Sequence, residues 1–99
     1  MSPIYVIQAL RLESYASRNI GWYPSEDGAK RALLDNASVI SEEVRGVPYY
    51  PYALVEEVPQ GVYPECSEER MWFYRWDNGT YVPCKRPERF NGVIGFTMG

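Results

Sequence analysis

Ninety-nine residues with a net charge of −3 suit a single domain spanning residues 1–99, and exclude two independent cores. An acidic chain repels a phosphate backbone unless its basic groups cluster, which disfavours a nucleic-acid polymer as partner. No apolar run approaches membrane-spanning length, and nothing at the start of the chain reads as a signal peptide.

Ile4 to Leu10 reads as a strand. Both of its faces are largely apolar, as in a central strand covered on both sides. Glu13 to Asn19 shows no periodicity and reads as a loop, and Ile20 to Tyr23 as a short second strand. Ser25 is placed to cap a helix whose first turn carries Glu26 and Asp27, where the helix dipole favours negative charge. Ala29, Ala32 and Leu33 give that helix a narrow apolar stripe, and it ends near Asn36. Gly28 weakens it by about 1 kcal/mol relative to alanine. Residues 37–45 suggest a second helical turn with Ile40 and Val44 on one side, broken by Gly46-Val47-Pro48.

Tyr49 to Val58 is the next strand, with Pro51 demoting its first half. Glu56 and Glu57 then fall on opposite faces and cannot act together on one substrate. A turn at Pro59-Gln60-Gly61 and an acidic loop from Pro64 to Glu69 follow. Met71 to Asp77 is the clearest strand. Asn78-Gly79 is the strongest short hairpin signal, because both central residues of a type I′ turn need positive φ. A two-residue loop sets Asp77 against Thr80, Trp76 against Tyr81, Arg75 against Val82 and Tyr74 against Pro83. Pro83 blocks any ladder on its outer side, so Thr80 to Cys84 is expected at a sheet edge. Pro87 to Phe90 reads as a helical turn and Val93 to Met98 as a last strand. The fold class expected is α+β: a mostly antiparallel sheet of about five strands with one main helix packed on one face.

Absences narrow the chemistry. The chain has no histidine, which removes Ser-His and Cys-His nucleophile pairs, His-bearing metal sites and the usual base near neutral pH. Its two cysteines, Cys66 and Cys84, lack zinc-site spacing and read as free thiols in a reducing cytoplasm. No glycine-rich phosphate loop is present. No catalytic residue, metal or cofactor is expected.

The positive signal is aromatic. Rings make up 15% of the residues, more than a core of this size usually consumes, and eight of the ten basic residues are arginine. Strand geometry puts Trp72, Tyr74, Trp76 and Tyr81 on one face, with Arg75 pleated to the other. Arg86 and Arg89 follow the hairpin. Rings near a sheet edge with guanidinium groups close by can stack a base and hold a phosphate. The same rings could instead form a protein-binding hot spot, or simply make the core under the helix. A second group, Tyr49, Tyr50, Tyr52 and Tyr63, reads as core or subunit contact. Asn78-Gly79-Thr80 matches a glycosylation sequon, but the turn accounts for it.

The segments YALVEEVPQGVYP and WFYRWDNGTYVPCKRPERFNGVIGFTMG resemble small proteins of bacteriophages, prophages and their bacterial hosts. The likeness runs through Ala53 to Pro64, Trp72 to Trp76, Tyr81, Pro87 and Val93 to Gly99, and its motifs are structural. It implies a phage-related, cytoplasmic setting in a bacterial cell and carries over no catalytic residue. The function expected is a non-catalytic anti-defence protein, a sponge for a cyclic nucleotide or related immune signal. Trp72, Tyr74, Trp76 and Tyr81 would stack bases while Arg75, Arg86 and Arg89 hold phosphates, in a pocket shared between subunits of a homo-oligomer. The alternatives are a protein-binding inhibitor of a host defence complex, of anti-CRISPR type, and a structural or regulatory phage domain without a small ligand.

Overall fold

The computed structural model describes residues 3–11, 16–58 and 70–87. They form strands β1 (Ile4–Arg11), β2 (Ala16–Tyr23), β3 (Tyr52–Val58), β4 (Met71–Asp77) and β5 (Thr80–Cys84), and helices α1 (Glu26–Asp35) and α2 (Ala37–Ser41). The strands make one sheet in the order β2-β1-β3-β4-β5, antiparallel at every junction. The fold is therefore the expected α+β sheet with one main helix. Neither helix is long and apolar enough to cross a membrane. The proposed turn at 59–61, the loop at 64–69, the last strand at 93–98, and Arg89, Cys66 and Tyr63 lie outside the described residues. So does all of the expected turn at 87–90 except Pro87.

The hairpin has the computed register: Asp77 faces Thr80, Trp76 faces Tyr81, Arg75 faces Val82 and Tyr74 faces Pro83. Asn78 and Gly79 both adopt positive φ, as a type I′ turn requires. β5 lies at the sheet edge, where a proline nitrogen facing outward loses no ladder bond. β1 is an interior strand between β2 and β3, buried on both faces from Val6 to Leu10.

Helix α1 begins as expected, with the Ser25 hydroxyl accepting from the Gly28 N–H at 3.1 Å. Gly28 also makes room for this cap, since a Cβ there would stand 2.9 Å from Ser25 Oγ. The roughly 1 kcal/mol that glycine forfeits inside a helix is thus comparable to what the cap contributes. Ala29, Leu33, Ala37 and Ile40 pack on Ile7, Ala9, Ala53, Val55, Tyr74 and Tyr81. Ala9 and Ala53 are directly paired in the sheet, and two methyl groups at its centre let the helices approach closely. The opposite face has its own cluster of Leu10, Leu54, Met71 and Phe73. Glu56 is fully buried on that side, while Glu57 accepts from the Tyr5 hydroxyl on the helix side. The two acids are split by the pleat as expected.

Two expectations are corrected. Residues 16–19, read as loop, are the first half of β2. Ile20 is the extra residue of a β-bulge, since Ile7 pairs with Gly21 and Gln8 with Asn19. The bulge breaks the period-2 pattern, and the polar side chains at its start find partners: Arg18 with Glu42 at 2.6 Å, and Asn19 accepting from Gln8 Nε2 at 2.8 Å. The second helix stops at Ser41 because Glu42 takes φ 54°, so Val44 lies outside it in a tight turn with Val47. β3 starts at Tyr52, immediately after Pro51.

Tyr81 is 1% exposed and donates its phenol to the Tyr50 carbonyl at 2.6 Å. Tyr81→Phe removes that donor and leaves a buried carbonyl, so a loss of about 1–3 kcal/mol is expected from urea denaturation with the slope unchanged. Tyr81→Ala opens a cavity as well and is expected to lose about 3–5 kcal/mol.

Burial pushes the Tyr81 phenol well above the ordinary tyrosine value, with the Ser41 hydroxyl pulling weakly the other way. Burial, then the nearby Glu26, also raises Tyr74. A raised folded-state value means stability is complete below the unfolded value of about 10 and is lost as pH climbs from there through the folded value. Urea midpoints measured from pH 8 to 11.5 are expected to hold level and then fall above about pH 10. The gap between wild type and Tyr81→Phe should narrow across the same window.

Candidate binding cleft

β4 outruns β5. Cys84, the last residue of β5, pairs with Phe73, so Met71 and Trp72 continue past the end of their neighbour. The gap opens a cleft of about 520 Å³ at the sheet margin. Its helix-side wall is Trp72, Tyr74, Pro83 and Lys30 of α1. Its opposite wall is Met71, Phe73, Cys84 and Arg86, with Lys85 between the two.

Three cationic side chains, Lys30, Lys85 and Arg86, are therefore among the residues that line the cleft, together with aromatic rings. The Lys30 ammonium lies 4.4 Å from the centre of the Trp72 ring and 2.7 Å from Glu26 Oε2. A cation over an indole face is attracted by the ring quadrupole. The Arg86 guanidinium is 5.9 Å from the Phe73 ring centre. Behind Trp72, Tyr5 stacks at a tilt, 6.3 Å between centroids, and its hydroxyl reaches Glu57 at 3.5 Å. Burial first, then Glu57 and Glu26, raise the Tyr5 phenol, so it stays protonated at neutral pH.

The residues expected to form a stacking row separate here. Trp72 lines the cleft and is half-buried. Tyr74 contributes only an edge, being 4% exposed and part of the core. Trp76 is half-buried, packs edge-on against Tyr81 with centroids 5.4 Å apart, and does not line the cleft. Tyr81 has no accessible ring face. Base stacking on Tyr74 and Tyr81 is therefore corrected: the helices cover that face of the sheet, and the interior consumes these two rings, while Trp76 stays half-buried away from the cleft. Arg75 sits on the other face, exposed, 3.7 Å from Asp77, and is not at the cleft. Arg86 is at the cleft, and Arg89 lies outside the described residues.

Lys30 is the residue that reading the hairpin alone misses. It approaches from α1, 42 residues before Trp72, and no local spacing signals that the helix lays it across the indole. Lys85 directly follows β5 and shares the cleft with Arg86. Among the described residues, no group of three or more His, Cys, Asp or Glu could hold a metal ion. The chain matches no protein family, no curated protein and no solved structure.

Cys84 is a free thiol in the cleft wall. Burial raises its pKa and Arg75 partly opposes this, which leaves mostly unreactive thiol at neutral pH. Iodoacetamide labelling at pH 8, followed on the Cys84 peptide by mass spectrometry, is expected to run several-fold slower in the folded chain than in urea. Arg75→Ala should slow it further, because the remaining influence on the thiol is the one that disfavours thiolate.

Proposed function

We propose that this chain is a non-catalytic binding protein that holds a small anionic, ring-bearing ligand of nucleotide type in the cleft beyond the end of β5. The observation that carries this reading is that Lys30, Lys85 and Arg86 all line one cleft walled by Trp72. A phosphate would draw on charge-assisted hydrogen bonds from the three cations, and a base would lie on the indole. The cleft volume falls within the range of small-ligand sites. Its thiol and phenols are held protonated, which suits holding a ligand rather than transforming it. In the phage-related setting that the sequence resemblance implies, such a protein would act by sequestration, withholding a nucleotide immune signal from a host defence system.

Lys30 sets the terms of binding. Its charge is shared by Glu26 and the Trp72 face. An arriving phosphate competes with Glu26 for the ammonium, and an arriving base competes with the ammonium for the ring.

Titration calorimetry against mononucleotides and cyclic di- and trinucleotides is expected to give heat with at least one of them, quenching of tryptophan fluorescence, and affinity that declines with salt. Lys85→Glu with Arg86→Glu should weaken binding at least tenfold, Glu26→Gln should tighten it, and Arg75→Glu on the far face should leave it unchanged. The ligand should be recovered intact after denaturation. Absence of heat across the panel, or indifference to the Lys85 and Arg86 reversals, would remove this reading.

A further inference from the structure

The segment between α2 and β3 is closed tightly and displays apolar side chains. Val44 and Val47 exchange both backbone hydrogen bonds, at 3.0 Å each, across Arg45 (φ 54°) and Gly46 (φ 82°). Positive φ at both central residues makes this a type I′ turn, the most compact hairpin connection. Its tip is fixed by the Gly46 N–H donating to Glu43 Oε2 at 2.6 Å, and its return by Tyr49 and Tyr50 N–H groups both donating to the Ser41 carbonyl. Turns are ordinarily flanked by polar residues. Here Val44 and Val47 are each 69% exposed. Beside them lies a hollow of about 410 Å³ walled by Val44, Val47, Pro48 and Tyr49, with Arg11 and Glu42 at its polar margins.

We propose that this surface is a self-complementary contact with a second copy of the chain. A two-fold contact requires one patch to fit itself, so that each feature meets its own complement. Val44 and Val47 both project from this patch and wall its hollow, so the valine pair of one protomer would lie against that of the other across the two-fold. Its margin carries both signs, Arg11 and Arg45 against Glu43 and Glu42, the last already paired with Arg18 at 2.6 Å, so opposite charges can be brought together by the two-fold. A nucleic acid or an anionic membrane surface would call for one sign only. The rigid turn loses little conformational freedom on docking. The exposed apolar area is on the order of a few hundred Å², below the roughly 800 Å² per partner of a standard interface, so the dimer is weak and reversible.

Sedimentation velocity on the intact chain over roughly 10–500 µM is expected to show a sedimentation coefficient rising from monomer toward dimer, as mass action requires. Val44→Asp combined with Val47→Asp should stay monomeric throughout. Both positions are exposed, so its circular dichroism and urea midpoint should match wild type. Amide NMR shifts on dilution should concentrate at residues 39–49 and Arg11. A wild type that remains monomeric at the highest concentration, a double variant that dimerises equally well, or dilution shifts centred elsewhere would each overturn the proposal. A monomeric chain whose valines are covered only by a different protein would overturn it too, since the occupant would then not be a second copy.

Discussion

A phenol with 1% exposure has to give its proton to a partner inside the protein, and for Tyr81 that partner is the Tyr50 carbonyl. This one bond joins the edge strand to a segment 31 residues earlier. That segment is itself anchored, because the Tyr49 and Tyr50 amides both return to the Ser41 carbonyl at the end of α2. Sheet edge, second helix and connecting loop are thereby tied at one point. The ring of Tyr81 is committed to the interior as a result, and Trp76, packed edge-on against it, is largely committed with it. Tyr74 and Tyr81 are structural for this reason, and of the row it is Trp72, at the other end of β4, that lines the cleft with its ring under Lys30.

Charge at that end follows from the helix rather than the hairpin. α1 crosses the sheet with Glu26 in its first turn, where the dipole favours it, and Lys30 one turn later. The i, i+4 spacing pairs them at 2.7 Å and the helix position lays the ammonium on Trp72. The pair is part-buried, so it holds Lys30 somewhat more firmly than the about 0.3–0.5 kcal/mol typical of an exposed helix pair. Under the proposed reading, an arriving phosphate would compete with Glu26 for this ammonium.

Much of this was legible in the residues. The register of β4 and β5 follows by counting outward from Asn78-Gly79, since a two-residue turn leaves one pairing, and Pro83 then marks the edge. The cap at Ser25 is equally local. What escaped depended on contacts between distant segments. The bulge at Ile20 hides the first half of β2 by interrupting the alternation, and only pairing with β1 reveals it. The end of α2 turns on Glu42 adopting a left-handed conformation, which its residue type does not announce. The faces of β4 were assigned correctly, including Arg75 on the side away from Trp72. Both faces are apolar, however, so the pattern alone could not say that the helices would cover the side bearing Tyr74 and Tyr81. That ambiguity is why a stacking row resolved into two core tyrosines with a half-buried tryptophan at either end.

The relative placement of the two proposed surfaces bears on how they could work together. The cleft lies at the Met71–Trp72 end of β4, level with Val55 and Glu56 on β3. The valine turn adjoins Arg11 and Tyr49, toward the end where Trp76 donates its amide to the Pro51 carbonyl. Trp72 and Trp76 are four residues apart, roughly 13 Å along the strand. A dimer formed through the valine turn therefore has its contact toward one end of the sheet and a cleft toward the other end of each copy. The pocket shared between subunits, expected from sequence, would not form through this proposed contact. Each protomer would hold its own ligand with Lys30, Lys85 and Arg86 from a single chain. Association would then act on a pair of ligands or a two-headed one through effective concentration, without altering either cleft.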